Sequence, residues 1–202
     1  MQTLDEILKV SASRHTHLCP RQVLGARIGL AGASALGMEL PRRDKRLLVI
    51  LETDGCFADG IEAATACTVG HRTLRIEDYG KTAATFVDTL TEQTIRISPR
   101  NNARELAWEY APSARNKWES QLIGYQHIPD ELLFHCQWVE LTVSVKQIIG
   151  QPGKRVMCEA CGEEIINQRE VMHEGTTLCR ACAGYSYYLQ ASSEISIKSQ
   201  TN

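Results

Sequence analysis

The cysteines near the C-terminus have the number and the spacing of a zinc site. Cys158 and Cys161 form one Cys-x-x-Cys pair, and after seventeen intervening residues Cys179 and Cys182 form a second. Two residues between thiolates let a tight turn point both sulfurs at one ion about 2.3 Å away, and two such turns complete a tetrahedron. The spacing therefore predicts a structural Zn²⁺ site in a four-cysteine ribbon over residues 154–184. The middle of this ribbon is expected to form a small hairpin around Glu174 and Gly175.

This ribbon is too short to fold around a hydrophobic core of its own. Metal binding supplies the missing free energy of folding, on the order of 10–16 kcal/mol in isolated zinc-finger peptides near neutral pH. The alternative interpretation of the four cysteines is a pair of disulfides, which persist in oxidising compartments.

Other features of the sequence argue against such a compartment. The N-terminal residues include Asp5 and Glu6 and lack the long apolar stretch and the cleavage site of a signal peptide. No run approaches the roughly eighteen apolar residues of a membrane-spanning helix. We therefore expect a cytoplasmic protein that does not enter the membrane, whose eight cysteines are thiols or metal ligands.

A second set of candidate ligands lies in the first third of the chain. His17 and Cys19 stand two residues apart, ahead of a helix whose first turn contains Pro20, where free backbone N–H groups and the helix dipole favour a thiolate. Cys56 and Asp59 follow a predicted buried strand, a position where loops present functional groups. Imidazole and thiolate ligands suit Zn²⁺, Fe or Ni better than Mg²⁺ or Ca²⁺. We expect His17, Cys19 and Cys56 to hold one such ion with one position open.

His15 and Cys67 are weaker candidates for the same site. A free cysteine is often a small buried hydrophobe, and this alternative stays open for each of the three N-terminal cysteines. Cys136 lies between Phe134 and Trp138 in the sequence and is expected in the core.

The elements that position the second set follow from caps and hydrophobic spacing. Thr3 and Glu6 form a capping-box pattern before a short amphipathic helix. Pro20 suits the first turn of a helix over residues 20–36, whose small residues allow a close neighbour. Five consecutive apolar residues at 47–51 predict a buried strand, and a short helix is expected over 59–67.

The remainder of the chain predicts a sheet and further helices. Residues 74–78, 83–90 and 94–98 suggest an antiparallel meander. Helices are expected from 102 to 110, around 118–123 and at 128–134, followed by a strand at 139–145 and a linker at 150–153. The fold class is α+β, with helices packed on a mostly antiparallel sheet. We divide the chain into a core domain at 1–150, the ribbon at 154–184, and a partly disordered tail at 185–202.

The order of these motifs resembles the FmdE family of formylmethanofuran dehydrogenase proteins. The residues that carry the resemblance are His15-x-His17-x-Cys19-Pro20, Asp54-x-Cys56-x-x-Asp59, Cys67-Thr68-x-Gly70 and Tyr79-Gly80-Lys81. The C-terminal ribbon is similar to the four-cysteine zinc finger of the DksA/TraR type. The family commonly has glycine where this chain has Thr16 and Ala66, and side chains there alter the fit around a ligand but not the ligating groups.

The resemblance implies an accessory role. The family is named for an operon whose enzyme reduces CO₂ onto methanofuran, and the catalytic pterin centre belongs to other subunits of that enzyme. Association with subunits of an enzyme complex is therefore implied. Carried over residue by residue, the family's shared pocket would be lined here by His17, Cys19, Cys56, Asp59, Cys67 and Lys81.

Three functions are compatible with these features. The first is a metal-binding accessory protein with a structural zinc ribbon and the core pocket as a second metal or substrate site. The second is an enzyme of unknown substrate in which Cys19 or Cys56 is the nucleophile or holds a metal-activated water, with Asp59 or Lys81 as proton carrier. The third is a zinc-finger transcriptional regulator.

Charge argues against the third function. The formal net charge of the chain is −2, and residues 154–182 contain four Lys or Arg against five Glu. Strong nucleic-acid binding requires a concentration of positive charge that this ribbon lacks. The helix rich in small residues and the aromatic residues after Cys182 favour a homodimer.

Overall fold

The computed structural model describes residues 2–13, 15, 17–150 and 152–189. The chain divides into two compact units, Met1–Thr142 and Val143–Asn202. Most of the tail expected to be partly disordered, residues 190–202, lies outside the described residues. No helix in the described part of the chain combines the length and the apolar character needed to cross a membrane.

The helices of the first unit begin where the sequence supplies caps. Thr3 caps α1 as predicted: its hydroxyl accepts from the Glu6 N–H, and the Glu6 carboxylate accepts from the Thr3 N–H at 2.8 Å. Pro20 opens the second helix, also as predicted. The helices are α1 (Leu4–Ala12), α2 (Pro20–Ala35), α3 (Cys56–Thr65), α4 (Ala103–Glu109), α5 (Lys117–His127) and α6 (Asp130–Leu133).

Helices α2 and α3 pack backbone to backbone. A Cβ atom on Gly25 would overlap the carbonyl oxygen of Phe57, and one on Gly60 would overlap that of Gln22. The absence of side chains at these two glycines lets the helices approach closely. This contact sets the N-terminal ends of α2 and α3 side by side, the two places where Cys19 and Cys56 lie.

A five-stranded sheet completes the first unit. Its spatial order is β2-β1-β3-β4-β5, with β1 and β2 parallel and the other neighbours antiparallel. The strands are β1 (Leu47–Leu51), β2 (Leu74–Ile76), β3 (Ala84–Asp88), β4 (Thr94–Pro99) and β5 (Phe134–Trp138). Phe86 on β3 pairs with Val49 and Ile95 on its two neighbours and packs against α2 at Gly32. The α+β class and the mostly antiparallel sheet are confirmed.

Three local predictions were wrong. Strand β2 does not continue the meander, because β1 lies between it and β3. No strand covers residues 139–145; the last strand of the five-stranded sheet is β5, and Ser144 caps a helix that begins at Val145. Cys136 is exposed, because β5 is an edge strand with a partner on one side alone.

The second unit consists of short helical segments and short strands. It contains α7 (Val145–Ile149), β6 (Arg155–Met157), β7 (Glu164–Ile166), β8 (Val171–His173), β9 (Thr176–Leu178) and a π-helical turn at Ala181–Tyr185. Strands β8 and β9 form the predicted hairpin, with Glu174 and Gly175 at φ of 49° and 82°. Two left-handed residues in succession match the right-handed twist of a hairpin. Arg169 donates to the carbonyl oxygens of Gln147 and Ile148 and ties α7 to the strands.

Candidate functional site

The second unit brings the four cysteines of the ribbon together. All eight cysteines of the chain are free thiols, so this structure contains no disulfides. The Sγ atoms of Cys158, Cys161, Cys179 and Cys182 all lie within 4.8 Å of one another. Four thiolates about 2.3 Å from a tetrahedral Zn²⁺ ion stand about 3.8 Å apart, so the spacing of the sulfurs fits this ion.

Each Cys-x-x-Cys pair lies in a turn that backbone hydrogen bonds hold. In the first turn the Cys158 N–H donates to the Glu163 carbonyl, and the Gly162 N–H donates to the Cys158 carbonyl, both at 2.9 Å. Gly162 has φ of 73°, a conformation that costs glycine little. In the second turn the Cys182 N–H donates to the Cys179 sulfur at 3.4 Å.

The electrostatics of the cluster favour a bound cation. The N–H groups of Cys161 and then Cys179, the latter 3.3 Å from the sulfur, lower the pKa of Cys158 to about 6. The sulfurs of Cys179 and Cys161 raise the pKa of Cys182 to about 12. The four sulfurs therefore cannot all ionise together without a positive charge between them. A divalent ion removes that repulsion, so the donor set fits Zn²⁺.

In the first unit, Cys19 and Cys56 form a pair although 37 positions separate them in the sequence. Cys19 directly precedes α2 and Cys56 begins α3, which starts three residues earlier than predicted. Burial raises the pKa of the Cys56 thiol, and so do a hydrogen bond with the Cys19 side chain and the charges of Cys19 and Asp59. The two sulfurs are therefore neighbours, and each is partly exposed.

A buried glutamine fixes the position of Cys19. Gln22 is completely buried, and its Oε1 accepts from the Cys19 N–H at 2.8 Å. Its amide nitrogen donates to the carbonyl and the hydroxyl of Ser11 on α1, each at 3.0 Å. Gln22 was not predicted from the sequence. Gln22 is the third residue of α2, and a Glu or Gln at this position is a capping signal because its side chain can accept from the N–H of the residue before the helix.

Asp59 lies one helical turn after Cys56, on the same face of α3. Its carboxylate oxygen Oδ2 lies 2.5 Å from Nε2 of His15, and both side chains are partly exposed. His17 is exposed. Within the part of the chain that the structure describes, His17, Cys19 and Cys56 do not form a group whose ligand atoms all lie within 4.8 Å, as the four ribbon cysteines do. The second metal site therefore remains a prediction.

The structure does not bring Cys67 to the pair. Cys67 follows the C-terminal end of α3, about 15 Å along the helix from Cys56. It is buried, its sulfur donates to the Leu47 carbonyl, and burial raises the pKa of its thiol. These contacts are those of a core residue.

Lys81 and the loop after β1 are joined through Glu52. The N–H groups of Tyr79 and Lys81 both donate to the Glu52 carbonyl at 3.0 Å, and the Lys81 ammonium lies 6.0 Å from the centre of the Tyr79 ring. The Glu52 carboxylate is buried and accepts from Nε and Nη2 of Arg96 at 2.5 and 2.7 Å. This ion pair was not predicted, because its partners are 44 positions apart.

Two family models match the sequence. The family described as "FmdE, Molybdenum formylmethanofuran dehydrogenase operon" matches residues 14–135. The prokaryotic DksA/TraR C4-type zinc finger matches residues 152–188.

The chain is also similar to known proteins over most of its length. A probable S-adenosyl-L-methionine-binding protein of Archaeoglobus fulgidus is 30% identical over 207 residues, which cover 92% of this chain and 54% of the relative. The chain thus spans about half the length of this curated relative. A crystal structure of a tungsten formylmethanofuran dehydrogenase FmdE-like protein from Syntrophus aciditrophicus aligns with a TM-score of 0.59 at 21% identity. That alignment covers 93% of this chain and 96% of the other, and it shows a shared fold.

Proposed function

The chain belongs to the FmdE family, and from this premise we propose that it is a metal-binding accessory protein with a structural Zn²⁺ in the ribbon and a second metal in the core. The four-cysteine cluster supports the first ion. One observation carries the second: the neighbouring sulfurs of Cys19 and Cys56 at the adjoining ends of two helices.

The core pair has the donors that a borderline metal prefers. Two thiolates with one imidazole suit Zn²⁺, Fe or Ni. His17, two residues before Cys19, would supply that imidazole. Such an ion would act as a Lewis acid toward a ligand at its open position. The chain's own contribution is positional, because Gln22 holds the backbone at Cys19 and the packing of α2 on α3 holds Cys56 beside it.

The partners of the protein belong to the same proposal. Membership of the family supports an association with subunits of a formylmethanofuran dehydrogenase complex. Exposed aromatic side chains, among them Tyr185 and Tyr187, support a homodimer. The small residues of α2 do not add to this support, because Gly25 and Gly32 are buried against α3 and β3 of the same chain. A cytoplasmic location fits the eight free cysteines.

Metal analysis of the full chain tests the two sites separately. We expect the wild type to contain zinc and a second transition metal by mass spectrometry. Cys19→Ala and Cys56→Ala should each lose the core metal and keep the ribbon zinc, with an unchanged circular dichroism spectrum. Cys136→Ser is the matched control, since Cys136 is exposed and outside both sets, and its metal content should equal that of the wild type.

A different combination of metal content and alkylation rates would refute the core metal site. If the wild type binds one zinc ion per chain under metal-replete conditions, and if Cys19 and Cys56 are alkylated at the rate of Cys136, the core site does not exist.

A second candidate function, an enzyme acting through the same residues, is favoured by the His15–Asp59 pair. This pair lies one helical turn from Cys56 and can hold or transfer a proton. The enzyme hypothesis requires that His15→Gln change the pH dependence of alkylation at Cys56, because the pair would exchange a proton with that thiol; Asp59 is left unchanged because its charge already raises the Cys56 pKa. A purely metal-holding site predicts the same pH dependence in both proteins once the metal has been removed.

A further inference from the structure

The first unit contains a cavity that the preceding sites do not account for. This cavity has a volume of about 430 Å³ and lies where the loop before β3 meets the end of β4, the start of α4, and helices α2 and α5. Its volume falls in the range of small-molecule sites. The charged side chains that line it are Lys81, Arg96, Arg100, Arg104 and Glu105, and Tyr125 also lines it.

The lining is strongly cationic although the whole chain carries a net charge of −2. Glu52 neutralises Arg96 through two hydrogen bonds. Lys81, Arg100 and Arg104 form no ion pair with a carboxylate of the described residues. Three uncompensated cations therefore face a single acidic side chain, Glu105, around the same cavity.

The partners of Arg100 and Arg104 are groups without a negative charge, so neither arginine is neutralised by its contact. Nε of Arg100 donates to the carbonyl oxygen of Glu131 at 3.1 Å, which leaves the two terminal nitrogens for another partner. Arg104 interacts with the phenol of Tyr125, and burial raises the pKa of that phenol, so Tyr125 keeps its proton and can donate.

The floor of the cavity consists of buried side chains. Tyr125 is 2% exposed, and Ala83 and Leu24 beside it are also buried. Gly124 allows α5 to contact the backbone of α4 at Ala107, where any side chain would overlap the Ala107 carbonyl oxygen. Scattered surface lysines and arginines are ordinary, but cations that converge on one cavity with an apolar floor resemble a built anion site.

We propose that this cavity binds a small molecule through its anionic group, a phosphate or a carboxylate. Guanidinium groups match both anions with paired N–H donors, and the ammonium of Lys81 adds a third charge. The apolar floor formed by Leu24 and Ala83 would contact the uncharged part of the ligand. None of the three cations is a proposed ligand of the core metal, although Lys81 also belongs to the pocket that the family resemblance implies.

Calorimetric titration of the full-length protein at low ionic strength tests this proposal. The probes are inorganic phosphate, glycerol phosphate and succinate, which separate phosphate from carboxylate and a bare anion from one with an organic part. We expect saturable binding of at least one of them to the wild type. Arg100→Gln and Arg104→Gln should each weaken it by about tenfold, because each removes a charge-assisted contact.

Two control variants and one further cavity variant complete the test. Arg43→Gln removes an exposed arginine outside the cavity and should change the dissociation constant by less than about twofold. Lys81→Gln changes an exposed side chain and should weaken binding even if an arginine variant fails to fold. Cys19→Ala should bind the anion as the wild type does, so a failure of the metal proposal leaves this result unchanged.

Either of two outcomes would overturn the proposal. One is the absence of saturable binding for all three probes. The other is equal weakening in Arg43→Gln and in the cavity variants, which would show that the anions respond to overall charge alone.

Discussion

At the scale of single residues, Cys158 gives the sharpest test of the proposed zinc site. It is the buried member of the four, and two backbone N–H groups stabilise its thiolate. We expect Cys158→Ser to release the zinc ion and to unfold residues 155–183, because the metal supplies most of the folding free energy of so small a segment. Limited proteolysis with mass spectrometry would show cleavage within the ribbon and an intact core.

The exposed Cys136 provides the control for this experiment as well. Cys136→Ser should leave both the proteolysis pattern and the zinc content unchanged. Protection of the ribbon in Cys158→Ser, together with full zinc occupancy, would mean that the four-thiolate assignment is incorrect.

Asp88 is the residue for which the structure predicts a pH effect on stability. Its side chain is buried, and the Arg46 guanidinium holds the pKa of its carboxyl well below its usual range, helped by the Leu90 N–H. A carboxyl with a depressed folded pKa stabilises the protein fully above the ordinary aspartate value of about 3.9, and this stabilisation is lost as the pH falls below it.

We therefore expect Asp88→Asn to lower the free energy of unfolding at pH 7 by about 2–3 kcal/mol. The difference from the wild type should shrink as the pH falls from about 5 to about 2, and urea titrations across this range measure it. Asp44→Asn is the matched control, since Asp44 pairs with Arg42 at the surface, and its effect should be clearly smaller. A pH-independent difference between Asp88→Asn and the wild type would contradict the linkage.

At the scale of elements, the contact between α2 and α3 positions the candidate core site. Gly25 and Gly60 face the backbone of the opposite helix, so a methyl group at either position must push the helices apart. Cys19 and Cys56 stand at the N-terminal ends of the same two helices. The geometry of the pair therefore depends on residues that carry no functional group.

We expect Gly60→Ala to lower the free energy of unfolding by about 2–3 kcal/mol, because a close-packed helix contact must expand. The same change should weaken metal binding at Cys19 and Cys56. Chemical denaturation and metal analysis would measure the two effects. Gly70→Ala is the control, since no atom lies within 4 Å of the added methyl group, and it should change stability by less than about 0.5 kcal/mol. Equal stability of the two variants would mean that the helices are less closely packed than the structure has them.

At the scale of the whole molecule, the distribution of charge disfavours a role in binding nucleic acid. Residues 154–182 carry more Glu than Lys and Arg, and the cavity cations Lys81, Arg100 and Arg104 converge on one site instead of forming an extended stripe. We expect weak, nonspecific binding to DNA at physiological salt, measured by fluorescence anisotropy. Submicromolar binding that weakens steeply with salt would contradict this and would favour the regulator.

The cysteine spacing of the ribbon, the hairpin at Glu174 and Gly175, the cap at Thr3, the start of α2 at Pro20 and the limits of β1 followed from the sequence by itself. Each of these features depends on residues close together in the chain, so local geometry determines it. The motifs of the FmdE family are short patterns that were identified by resemblance. The antiparallel pairing of β3 with β4 could be predicted because a short loop joins the two strands.

What only the tertiary structure decided involves residues far apart in the sequence. The contact of Cys19 with Cys56, the ion pair of Glu52 with Arg96, and the placement of β1 between β2 and β3 depend on how elements pack. The strand prediction for residues 139–145 rested on their alternating apolar residues and was wrong. Such alternation shows that one face of a strand could be buried, but it does not show that a neighbouring strand is available to pair with it. The cationic cavity was invisible for the same physical reason: its charges come from the loop before β3, the end of β4 and the start of α4, which become neighbours through folding.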